Sequence, residues 1–144
     1  MLSARKLHFF MKIVTTMIEE EVYEAINENG NRLPIDMRST TLKKAQSPPE
    51  LLLSAVAACG AVDTVLMLKK RRKTINNFTI ETVGERRAEH PKSFTAIHCK
   101  YIVESPDVNE DEFEKAAALS LEKYCTVAAS LNCEVTHEIE IIRP

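Results

Sequence analysis

Glycine is scarce in this chain, with Gly30, Gly60 and Gly84 the only three among 144 residues. Neither a Gly-rich dinucleotide fingerprint nor a phosphate-binding loop can be spelled with them, so both of those nucleotide-binding modes are excluded. A surplus of one charge is also missing: 19 basic and 21 acidic residues leave a net charge of −2. That balance argues against a protein whose main task is gripping nucleic acid. Cysteine is present but sparse, at Cys59, Cys99, Cys125 and Cys133. A small extracellular disulfide scaffold is denser in cysteine than this. Arg5 and Lys6 precede a short apolar stretch, but Lys12 interrupts it and no small-residue cleavage site comes after it, so the opening does not read as a secretory leader. The expectation is a cytoplasmic protein, in which each cysteine is either a buried small hydrophobe or a reactive thiol.

The 44% of hydrophobic and 28% of charged residues are those of an ordinary globular domain, and the length suits a single one. Residues 1–10 fit no later pattern and read as an N-terminal arm, with a single domain over 11–144. Segments 11–19, 21–28 and 32–37 read as strands, with Asn29-Gly30 as a hairpin turn. Ser47 is placed as a helix N-cap followed by prolines, and Glu50 stands where its carboxylate can return a bond to the cap's N–H. From Leu51 to Leu68 the helix is apolar on nearly every face, which predicts burial all round. A membrane span is rejected, because Asp63 would sit in hydrocarbon at a cost of about 2.5–3.5 kcal/mol. A central helix wrapped by sheet, from this chain or a partner subunit, suits the same residues.

Beyond the basic run Lys69–Lys73, residues 78–86 and 94–104 alternate as strands. The two-residue period puts Ile97, Cys99, Tyr101 and Val103 on one face. Asn109 and Glu112 signal a second helix start, and that helix is expected to run to about Leu131 with Cys125 inside it. Val135, His137, Ile139 and Ile141 then mark a last strand. The predicted class is α+β: three strands, a helix, two strands, a helix and a strand.

Few residues carry chemistry by pattern alone. Cys59 and Cys125 lie in predicted helices, where a cysteine among alanines is usually core. Cys125, Cys133 and His137 can be written as a ligand run, but there is no close Cys-x₂-Cys pair of the kind structural zinc sites carry, so no metal is expected. Glu50 is explained by capping, and Lys69–Lys73 by the helix dipole. Asp63 is harder to dismiss, since a carboxylate in an apolar helix needs a partner.

Two stretches carry a resemblance. SPPELLLSAVAAC (47–59) resembles the P-x-E-L-L-L-x-A-x-x-x-C signature of the OsmC/Ohr family, and LEKYCTVAASL (121–131) resembles its second signature. The 66-residue spacing of the two cysteines also matches, and the resemblance covers about residues 11–142. It implies an intertwined homodimer in which strands of one subunit wrap two central helices of the other. It also implies reduction of organic hydroperoxides without a bound cofactor. In that scheme Cys59 is the peroxidatic thiolate, Cys125 the resolving thiol, and a dithiol reductant resets the pair.

A thiolate in an apolar helix needs a cation. The peroxidase branches supply an N-terminal Arg held by a Glu, where this chain has Pro49; Arg38 and Arg32 are the neighbouring candidates. The run Cys-Gly-x-x-Asp (59–63) and GERRAEHP (84–91) look most like a less-characterised branch. There Asp63 and Arg86 are expected to pair near Cys59 and tune it. Two other readings stand beside the redox one: a small-ligand-binding module at the dimer interface, and an interaction protein using the basic run.

Overall fold

In the computed structural model, residues 9–144 are described, and they fall into two compact units divided after Glu50. Most of the expected arm, residues 1–8, lies outside the described residues; Phe9 and Phe10 precede the first strand.

The first unit is a three-stranded antiparallel sheet in the order β1 (Ile13–Glu19), β2 (Val22–Asn27), β3 (Arg32–Asp36). Gly30 adopts φ 82° in the predicted turn, and the Asn27 side chain accepts from the amides of Asn29 and Asn31. The other reversal passes through Glu21 at φ 65°, a left-handed conformation that no glycine advertises in the sequence. All seven residues of β1 are exposed, so apolar Ile13, Val14, Met17 and Ile18 line both faces uncovered. At the end of β3, buried Asp36 accepts from the amides of Arg38 and Lys44 and holds the Arg38 guanidinium at 3.0 and 2.7 Å. These bonds keep its carboxyl well below the usual carboxylate range.

Helix α1 spans Pro48–Lys70 and starts where the Ser47 and Pro48 signals place it. The Ser47 amide donates to Glu50 at 2.7 Å, the return bond of a capping box. At its far end Arg72 sits at φ 63°, while the Lys73 amide reaches Leu68 O and the Arg72 amide reaches Lys69 O. This is a Schellman motif with arginine in the position usually held by glycine.

In the second unit, β4 (Asn77–Arg86) and β5 (Phe94–Glu104) form an antiparallel hairpin, and β6 (Glu134–Ile142) joins β5 in parallel. A parallel neighbour requires a crossover. It is supplied by α2 (Glu110–Leu119), a π-helical turn (Ser120–Tyr124) and α3 (Thr126–Ala129). Helix α2 opens with the full capping box predicted at Asn109 and Glu112. Lys73 binds Glu112 at 2.9 Å and the Asp107 carbonyl at 2.8 Å, giving part of the basic run a structural role. The core joins Val56 and Leu68 of α1, the predicted face Ile97–Cys99–Tyr101–Val103 of β5, and Phe113, Ala116 and Ala117 of α2. Phe78 packs edge-on against both Tyr101 and Phe113.

Two expectations are corrected. The second helix does not run to Leu131: α2 ends at Leu119, and the chain breaks at Cys125, whose ψ of 100° is extended. Nor does this chain by itself bury α1 all round. Only Val56, Gly60, Thr64 and Leu68 are buried, one stripe at four-residue spacing, while Val62 and Leu66 are 59% and 51% exposed. By length and composition α1 could cross a membrane, yet its buried stripe forms part of the core of the second unit.

Candidate functional site

Cys59 and Cys125 meet in the second unit because one stripe of α1 faces the crossover. Gly60 leaves room beside this stripe for the Tyr101 hydroxyl of β5, with which a Cβ there would collide. The Gly60 carbonyl accepts from Thr64 Oγ1 within the helix and from Ser120 Oγ of the π turn, each at 2.8 Å. Ser120 thus ties the helix to the turn that leads into Cys125. A π-turn widens the helix and re-aims the chain beyond it, and such turns cluster at functional sites. Here it delivers Cys125 to the head of α3, where Sγ accepts from the Ala128 amide at 3.4 Å.

Cys125 is 2% exposed and Cys59 half-buried; both are free thiols. Burial pushes the Cys125 thiol up from its ordinary value. The Ala128 amide works against that rise, and contact with the Cys59 thiol adds to it. Cys99 is fully buried beside Thr82 and is also raised by burial. Cys133 packs half-buried on the same core. Free thiols that differ in depth, two of them in mutual contact, can exchange protons and form a covalent bond on oxidation.

The other predicted residues lie elsewhere. Glu50 binds Lys43 Nζ at 2.5 Å, Ser47 N at 2.7 Å and Ser47 Oγ at 2.8 Å. These donors lower its pKa to about 2. The expected Asp63–Arg86 pair is not formed. Arg86 Nε donates to the Lys92 carbonyl at 2.7 Å and its guanidinium lies over Phe94, and no ion pair among the described residues joins it to Asp63. The reason is geometric: Arg86 sits at the bulged end of β4, where the loop to β5 offers a carbonyl first. Arg38 is held by Asp36 and Arg32 by Glu24, so both candidate cations already face a carboxylate. No group of three or more potential metal ligands occurs among the described residues.

Sequence reasoning placed Tyr101 in the core but missed its tip. The side chain is fully buried, and its hydroxyl is the one buried side-chain polar atom without a hydrogen-bond partner among the described residues. A tyrosine on the inner face of a strand is the available signal, because its apolar ring brings a polar end that must be satisfied.

A protein family described as OsmC-like protein matches residues 41–140. The Escherichia coli protein YhfA is 34% identical over 119 residues, covering 81% of this chain and 89% of that one. Among solved structures, an OsmC-like protein from Mycoplasma pneumoniae superposes with a TM-score of 0.81 at 20% identity, covering 94% of this chain and 99% of its own. The organic hydroperoxide resistance protein OhrB of Bacillus subtilis gives 0.60 at 16% identity, covering 93% and 98%. At those identities the two structures establish likeness of fold.

Proposed function

Because the chain belongs to the OsmC-like protein family, some of whose structural neighbours are named organic hydroperoxide resistance proteins, we propose that it is a thiol-dependent redox protein reducing organic hydroperoxides. The Cys59 thiolate attacks the peroxide, the O–O bond breaks, and the alkoxide leaves and takes up a proton. Cys59 is left as a sulfenic acid, oxidised by two electrons. The Cys125 thiol then attacks that sulfur, forming the disulfide and releasing water. A dithiol reductant restores both thiols by exchange. No bound cofactor enters this scheme.

One observation carries the reading: buried Cys125 is set beside Cys59 by a π turn and a helix break, although the two are 66 residues apart. The chain works as a cytoplasmic homodimer. In support, α1 and β1 expose apolar side chains that a soluble monomer would cover.

Treating the reduced protein with one equivalent of cumene hydroperoxide and mapping thiols by mass spectrometry tests the reaction. The expected result is rapid loss of two thiols as a Cys59–Cys125 bridge, reversed by a dithiol. Slow oxidation scattered over all four cysteines would overturn it.

A further inference from the structure

The Tyr101 hydroxyl is buried, unpartnered and pressed against Gly60, the residue next after Cys59. Leu121 of the π turn stands on the same side. The ring is fixed from two directions, by Phe78 at 6.1 Å and His137 at 6.3 Å, both edge-on. The hydroxyl therefore cannot swing to another partner without repacking the core. Burial first, and then the electrostatic influence of Cys99, Cys125 and Cys59, holds its pKa above the ordinary value, so the group is a neutral donor. A neutral phenol with no acceptor in reach is an anomaly in a native core, because buried polar groups are nearly always paired. In the thiol state it has no hydrogen-bond partner among the described residues. Oxidation of Cys59 supplies an oxygen.

We propose that Tyr101 donates a hydrogen bond to the oxygen carried by Cys59 once it has been oxidised to sulfenic acid, and so assists that oxygen's departure when Cys125 closes the disulfide. The inference rests on the redox reading above. In the closing step the Cys125 sulfur forms the S–S bond, the Cys59 S–O bond breaks, and the oxygen leaves as water with the Cys125 proton. Tyr101 keeps its own proton throughout and only shares it. A donor aimed at the leaving oxygen acts where charge develops, which is the most effective place for it. It also favours the sulfenate anion over the sulfenic acid when no second thiol is available.

Tyr101→Phe removes the hydroxyl and keeps the ring. In the reduced state this deletes an unpaired buried donor, so the variant should melt no lower than the parent. Cys59 should lose its thiol to cumene hydroperoxide at the parental rate. Disulfide closure should slow, so that dimedone traps sulfenic acid that the parent does not accumulate. In a Cys125→Ser background, where the sulfenic acid persists, Tyr101→Phe should raise the pH midpoint for its conversion to sulfinic acid by about one unit, the size expected for loss of one hydrogen bond to a charged group. That shift is a readout that loosened packing alone would not produce. An unchanged midpoint, or a reduced variant that melts clearly lower, would overturn the role of Tyr101. If the Cys125→Ser protein yields no sulfenic acid with peroxide, the redox reading itself fails, and the role of Tyr101 falls with it.

Discussion

Glu50 and Asp36 show how much of this chain's chemistry is spent on holding backbone in place. Each carboxylate gathers at least one backbone amide and a cation, and each is thereby kept ionised to lower pH than usual. For Glu50 the folded pKa of about 2 lies below the unfolded value near 4.5. Its contribution is therefore complete above pH about 4.5 and is lost as pH falls towards 2. Glu50→Gln should accordingly lower the acid resistance of the α1 start and flatten the dependence of stability on pH between those limits. Acid titration monitored by circular dichroism would check this; an unchanged acid midpoint would assign the Lys43 and Ser47 contacts no weight. Residue identity alone made the capping role readable. It did not make the Arg86 contact readable, because a carbonyl acceptor such as that of Lys92 leaves no trace in side-chain sequence.

The elements repeat that division between local and long-range causes. Strand β5 was legible because burial on one face imposes period two, and Asn109 with Glu112 was legible because a capping box is written within four residues. The break at Cys125 was not. The run from Ser120 to Ala129 contains no glycine or proline and has ordinary helix propensity, so nothing local forbids continuation. The turn widens where Ser120 reaches across to Gly60, an interaction between residues 60 apart. The two cysteines were found through motif resemblance rather than through any property of their immediate neighbours, and Tyr101 was seen only as core.

Two substitutions test these elements. Gly60→Ala drives a methyl into the Tyr101 hydroxyl and should destabilise by about 1–3 kcal/mol, as overpacking does. Denaturant melts would show it as a lower midpoint at constant slope. Arg72→Gly relieves a left-handed arginine at the α1 C-cap and should stabilise by up to ~1 kcal/mol, because a left-handed L-residue costs roughly 1–2 kcal/mol and glycine's extra unfolded freedom returns part of that. A fall in melting temperature would mean that the Arg72 side chain makes a contact worth more than its backbone strain.

At the scale of the whole molecule, the uncovered apolar surface is the dominant feature. Val62 and Leu66 on α1, and Ile13, Val14, Met17 and Ile18 on β1, are all exposed by half or more. Sedimentation of the proposed homodimer should give about twice the 16.3 kDa chain mass, and Val62→Glu should convert it to monomer by placing a charge in an apolar interface. A parent protein that sediments as a monomer at micromolar concentration would remove the dimer from the account.

The parallel pairing of β5 with β6 also bears on how the molecule comes into being. During synthesis the β4–β5 hairpin can close as soon as Glu104 is available, whereas β5's other edge stays open until Glu134–Ile142 has been made. Chains complete their early parts first, and non-local parallel pairings are slow to form. The nascent protein therefore passes through an interval in which an apolar strand carries a bare hydrogen-bonding edge. In pulse-labelled refolding, the amides along the β5–β6 ladder should be the last of the sheet to gain protection from exchange.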